Sequence, residues 1–194
     1  MLRTLEIEDL SARAGEAFRD RAEEAGLVDV AFATVDSPIG DLLVAGTRKG
    51  LVRISFPTER PDDVVEELAI MISPRVLEAP SRLDEVRREL DEYFAGNRER
   101  FDLRLDMSLT HGFTRKVLQA TSRIPFGSVS TYRDVARRAG NDRAYRAAGN
   151  ALGANPIPIV VPCHRVLHTS GGLGGYGGGL DVKRFLLRLE HALA

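Results

Sequence analysis

The chain holds one cysteine among its 194 residues. That count excludes an internal disulfide framework and any zinc site built from several thiolates. No apolar run approaches the roughly 20 residues that span a bilayer. The first 20 residues are charged and lack the hydrophobic stretch of a signal peptide, so the sequence reads as cytoplasmic. Acidic charge is scarce in one half of the chain. Residues 111–194 carry 12 Lys/Arg against 4 Asp/Glu, and residues 1–110 carry 15 against 24, so the net charge of -1 conceals a basic second half. Such a half suits a polyanion, or else docks on the acidic half. The remaining composition, 43% hydrophobic and 28% charged, is that of a soluble globular protein long enough for one or two small domains.

The lone thiol stands in the run Ile157-Pro158-Ile159-Val160-Val161-Pro162-Cys163-His164-Arg165-Val166. A lone cysteine in a chain of this size is commonly an inert core residue. A nucleophilic thiolate instead needs nearby positive charge or a base to lower its pKa from about 8.5. Pro162, His164 and Arg165 favour the second reading and place a reactive cysteine at the end of a strand or loop. Neighbours in sequence do not face each other on a strand, so activation by His164 calls for a water or a tight turn.

The rest of the chain divides into three parts. Residues 1–27 read as a charged helical extension. Residues 28–106 read as an α+β unit: strands at 28–35, 41–46 and 51–56 form a three-stranded antiparallel meander. Helices at 62–72 and 82–94 follow, and 100–105 is a candidate further strand. Residues 107–194 read as mainly helical. Thr110 or Thr114 caps a helix to about Ser122, Thr131 caps 132–138, and a second short helix at 143–153 completes the outline of a helix-turn-helix. Helical hairpins of other kinds share that outline. The second helix is slim, with Ala144, Ala147, Ala148, Gly149 and Ala151, which suits either tight helix packing or insertion in a narrow groove beside Arg143 and Arg146. Residues 171–179 place one tyrosine among seven glycines, without the GK[ST] of a phosphate loop. Asp181 caps a last helix at 182–193, in which Glu190 is a candidate inward-facing carboxylate. The four histidines, His111, His164, His168 and His191, are too scattered to define a metal site.

From Phe113 to Glu190 the chain resembles the O6-alkylguanine-DNA alkyltransferases, also called methylated-DNA–protein-cysteine methyltransferases. The matching pieces are Phe113-Thr114-Arg115, Pro125-Phe126-Gly127, Thr131-Tyr132, Arg146-Ala147-Ala148-Gly149-Asn150-Ala151-Leu152, Asn155-Pro156-Ile157-Pro158, Pro162-Cys163-His164-Arg165-Val166 and Gly175-Tyr176-Gly177-Gly178-Gly179-Leu180, in order. Ser37-Pro38-Ile39-Gly40 in the meander is similar to the family's first domain, and residues 1–27 lie outside the match. The resemblance implies direct-reversal DNA repair, in which an alkyl group passes once from guanine O6 to Cys163 without cofactor or metal.

It also implies site roles. His164 would take the thiol proton through water, Glu190 would orient that histidine, and Tyr132 would donate to the departing guanine. Amides near Tyr176 and Gly177 would face O6, and carbonyls near Cys163 and Val166 would read the amino group. Leu152 and Pro158 would line the pocket, Asn155 would act as hinge, and Arg165 would bond backbone or carboxylate groups. Arg146 would fill the stack left by a flipped base. Thr131, Arg143, Ala144, Ala147, Ala148 and Ala151 would meet double-stranded DNA through the minor groove. The protein would be a monomer that can cluster on DNA. Gly177 stands where relatives often have Ala or Ser, which would widen the pocket. Other readings predict other behaviour. A non-catalytic sensor of alkylated bases would lack the cysteine, a helix-turn-helix regulator would bind one duplex sequence, and a cysteine hydrolase would turn over an acyl substrate.

Overall fold

The computed structural model describes Ala14, Gly15, Ala17, Arg21, Ala22 and residues 25–193. The helix expected over 1–27 falls largely outside these; its described positions 14, 15, 17, 21 and 22 are helical. Strands β1 (Val30–Val35), β2 (Leu42–Thr47) and β3 (Gly50–Ser55) form the expected antiparallel meander. A fourth strand, β4 (Val76–Glu78), extends it by pairing parallel to β1, so the sheet is mixed, in the order β3-β2-β1-β4. Three residues are too few for an alternating pattern to register in sequence. The further strand anticipated at 100–105 reduces to one bridge, Leu51 to Leu105.

Both faces of the sheet are covered. Val30, Leu43, Ala45 and Val52 pack with Val64 and Leu68 of α1 (Pro61–Met71). Their strand neighbours Ala31, Leu42, Val44, Leu51 and Ile54 join the main core, with Leu90 and Tyr93 of α2 (Asp84–Phe94). Burial on both sides explains why these strands are apolar at nearly every position. A 3₁₀ turn at Pro80–Leu83 replaces the first turn expected for α2.

The second half continues the same core. Helix α3 (Gly112–Thr121) begins after His111, with no side-chain cap, so neither Thr110 nor Thr114 plays that part. A two-stranded parallel pair, β5 (Ser130–Thr131) and β6 (Val166–Leu167), ties the start of the helical hairpin to the segment after the cysteine. Thr131 caps α4 (Tyr132–Arg138): its hydroxyl accepts from the Asp134 amide at 3.1 Å. Helix α5 (Tyr145–Gly153) starts two residues later than expected, because Asn141 and its turn hold Arg143 outside it. Helix α6 (Gly179–Leu189) is shifted toward the N-terminus, so Asp181 lies in its first turn and not at its cap. Among the described residues no helix is long and apolar enough to cross a membrane.

Gly50 has φ +139, and a Cβ there would drive into the backbone of Arg104. Gly96 also has positive φ, +74, but open space around it. Gly50→Ala is therefore expected to cost about 2 kcal/mol or more, and Gly96→Ala about 1. Urea midpoints at unchanged slope measure both.

Candidate active site

The apolar run before the cysteine is not a strand. Ile159 has φ +73, rare for a β-branched residue, and the Val160 amide donates to Pro158 O at 2.9 Å across it. This is a γ-turn of the uncommon, strained hand. Pro162, at φ -80 and ψ 65, forms the relaxed γ-turn, with the Cys163 amide donating to Val161 O at 2.8 Å. The two turns crumple the segment and deliver Cys163 into a 3₁₀ turn, Cys163–Arg165. Strained backbone concentrates at functional sites.

Asn155 holds this arrangement from the end of α5. Its Oδ1 accepts from the Ile157 amide at 3.1 Å. Its Nδ2 donates to Val161 O at 2.8 Å and to Cys163 Sγ at 3.2 Å. The expected link between the hairpin helix and the reactive turn is thus a direct contact with the sulfur.

Glu190 sits behind the turn at 0% exposure and accepts from four groups. Arg165 donates to Oε2 through Nε at 2.8 Å and to Oε1 through Nη2 at 2.9 Å. Tyr93 OH donates to Oε1 at 2.6 Å, and His164 Nε2 meets the same oxygen at 2.9 Å. Arg165 also donates to Ile124 O at 2.5 Å. Burial pushes the Glu190 carboxyl up, but the hydrogen bonds from His164 and Arg165 and the Arg165 charge outweigh it and hold the group down at about 2. Burial lowers the His164 pKa, so the ring is neutral. An ionised carboxylate only accepts, so the neutral ring must donate through Nε2, leaving the Nδ1 lone pair as a base. Nδ1 is buried and has no partner among the described residues. No hydrogen bond there joins His164 to Cys163 directly.

Burial pushes the Cys163 thiol pKa up, while Asn155 and the Lys183 charge pull against it. Lys183 is fully buried and donates to the carbonyls of Val166, at 2.8 Å, and Leu173. Burial lowers its pKa to about 8.

Cys163, itself 7% exposed, opens on a cleft of about 870 Å³. Its walls include Tyr132, Arg133, Arg146, Gly149, Leu152, Tyr176 and Gly177. Gly174, at φ +69, lets the glycine-rich loop lie against the Tyr132 hydroxyl, where a Cβ would collide. Arg143, Arg146 and Ala147 are exposed along the hairpin, and Ala144 is half-buried. Ala148 and Ala151 face inward at 0% and 3% exposure, so they pack α5 on its neighbours and are corrected as DNA contacts. Pro158 and Asn155 do not line this cleft; they border an adjoining cavity that shares Leu152, Gly153, Cys163, Tyr176 and Gly177 with it. Tyr93 and Lys183 carried no signal in sequence. One reads as a core position of an amphipathic helix, the other as an ordinary surface lysine. Among the described residues no three His, Cys, Asp or Glu side chains gather in a way that could hold a metal.

Glu190 should make the fold acid-labile. Its folded-state pKa lies below its ordinary value of 4.5, so its contribution is complete above about 4.5 and drains as pH falls toward 2. His164, kept neutral by burial, begins to draw in the same direction below its ordinary 6.5. Glu190→Gln leaves Arg165 buried without its partner and should cost about 3–5 kcal/mol at pH 7, with a flattened acid limb in denaturation midpoints plotted against pH.

Residues 30–107 match the family model for the 6-O-methylguanine DNA methyltransferase ribonuclease-like domain, and residues 112–192 match that for its DNA binding domain. A methylated-DNA–protein-cysteine methyltransferase of Methanosarcina barkeri is 42% identical over 159 residues, covering 82% of this chain and 96% of the relative. A crystal structure of the O6-methylguanine methyltransferase of Mycobacterium tuberculosis superposes at a TM-score of 0.71 with 38% identity, covering 85% of this chain and 94% of that one. The same organism's OGT in complex with DNA gives 0.71 and 37%, covering 84% and 93%. The chain belongs to the methylated-DNA–protein-cysteine methyltransferase family, the enzymes of direct-reversal repair at O6-methylguanine.

Proposed function

We propose that Cys163 is the alkyl acceptor and that each molecule acts once. The observation that carries this is the meeting of thiol, base-sized cleft and histidine–carboxylate pair at one turn. Carbon on guanine O6 is attacked by sulfur; the S–C bond forms as the C–O bond breaks. The thiol proton passes to His164 Nδ1, through a bridging water since no direct bond joins the two. Glu190 is poised for the imidazolium that results, since its charge and its bond at Nε2 both favour it. The electron pair of the broken bond stays on the guanine, and Tyr132, whose hydroxyl borders the cleft, supplies a proton to it. The thioether product has no route back, so turnover ends. Asn155 serves the sulfur directly, and Arg165 serves the fold through Glu190.

The partner is double-stranded DNA carrying O6-alkylguanine. A base inside a duplex is out of reach of a thiol, so it must be flipped at a cost of a few kcal/mol. Arg146, exposed at the rim of the cleft, is positioned to occupy the vacated stack. The slim, basic face made by Arg143, Arg146 and Ala147 suits the minor groove, where sequence is read weakly. Thr131 contributes by fixing the start of α4. A monomer suffices for this chemistry; clustering on DNA is a separate property. A free thiol kept as reagent fits the reducing cytoplasm.

Intact mass after incubation with a duplex carrying O6-methylguanine should rise by one methyl group, on the Cys163 peptide, and Cys163→Ser should gain none. Absence of that adduct would reject the assignment. Tyr132→Phe should slow transfer by roughly 10²-fold with duplex binding retained. Arg146→Ala should slow transfer from duplex by roughly tenfold more than from a single strand, where no stack needs filling.

A further inference from the structure

The side of α5 that lines the cleft carries a stripe at helical spacing, Tyr145, Gly149, Leu152 and Gly153. Leu152 and Gly153 share two cavities with Cys163 and mark the inner end. Tyr145 stands at the outer end, about 12 Å of helix rise from Gly153. It is the one aromatic ring of the stripe, and it is 41% exposed. Gly149, one turn further in, has no side chain to screen that ring from the interior.

The next residue in the chain is Arg146. Successive residues on a helix point about 100° apart, so helical spacing does not bring the two side chains together. The Arg146 guanidinium carbon nevertheless lies 5.7 Å from the centroid of the Tyr145 ring. The arginine chain therefore bends back around α5 to reach the ring face, within the range of a cation–π contact. Among the described residues no carboxylate pairs with Arg146, so the ring is where its guanidinium rests while its charge stays available to DNA.

Lifting one base out of a stack leaves a gap one plane thick, about 3.4 Å along the strand. A guanidinium is such a plane, but an unsupported arginine is spread over many rotamers. A surface that orders it before DNA arrives reduces the ordering that binding would otherwise demand. We propose that Tyr145 is a positioning residue for Arg146: its ring carries the guanidinium at the mouth of the cleft and backs it once the base has turned out. The proposal rests on Arg146 filling the vacated stack. It gives the task of holding the duplex open to two side chains, and the second acts through its π-face, with no part for its hydroxyl.

Single-turnover methyl transfer from O6-methylguanine, in a duplex and in the same strand unpaired, tests this on full-length variants. Tyr145→Ala should slow transfer from the duplex by about fivefold more than transfer from the single strand. Tyr145→Phe keeps the ring and should restore the wild-type ratio. Tyr145→Leu keeps bulk without a π-face and should behave as the alanine variant does. Arg146→Ala removes the group that Tyr145 serves, so adding Tyr145→Ala to it should slow duplex transfer no further. Equal slowing of both substrates by Tyr145→Ala marks a role in folding α5 and overturns the proposal. Rescue by leucine as complete as by phenylalanine overturns it too, as do alanine effects that multiply in the double variant. Arg146→Ala without a duplex-selective loss overturns the proposal together with the reading of Arg146 on which it rests. A wild-type protein that takes no methyl group from either substrate overturns the assignment of Cys163, and this proposal with it.

Discussion

Everything at this site depends on one buried carboxylate keeping its charge. Glu190 is removed from water, and its ionised form survives because Arg165, Tyr93 and His164 all point hydrogens at it. A buried anion without such partners would neutralise, because the desolvation penalty runs to several kcal/mol. The same bonds set the tautomer of His164 and so decide which nitrogen is left as a base. They also fix Arg165, which reaches across to Ile124 and pins the reactive turn to the end of α3. Structure and chemistry share one set of contacts.

Those contacts also join the two halves of the chain. Tyr93 belongs to α2, in the first half, yet its hydroxyl completes the shell around a glutamate in the second. The Ile54 amide of β3 donates to Pro156 O at 2.8 Å, directly beside Asn155. Phe56 meets Tyr176 edge-on at 5.4 Å between centroids. The sheet is therefore more than a neighbour of the site. It braces the turn that carries the sulfur and supplies the rear wall of the space around it.

Much of this was readable from the chain. The meander, the helical hairpin and the Thr131 cap follow from local pattern, since period-two alternation, glycine turns and a capping hydroxyl act over a few residues. The motif around Cys163 sets thiol, imidazole and guanidinium side by side, and the structure folds them into one 3₁₀ turn with Glu190 behind it. What local pattern misleads on is the run from Ile157 to Val161, which has a strand's composition but is folded into consecutive γ-turns by Asn155 and two prolines. The inward face of Ala148 and Ala151 was equally hidden. Alanine suits both a groove and a helix contact, and only the position of α3 decides. Tyr93 and Lys183 act through contacts 97 and 17 residues away, a separation no periodicity reports.

The raised thiol pKa has one more consequence. A protein whose reagent is consumed in a single event must keep that reagent intact until a lesion arrives. Peroxide and stray electrophiles attack the thiolate, and a protonated sulfur in a nearly closed turn offers them little. Holding the sulfur in its protonated form trades standing reactivity for shelf life, and it lets an idle copy wait unspoiled.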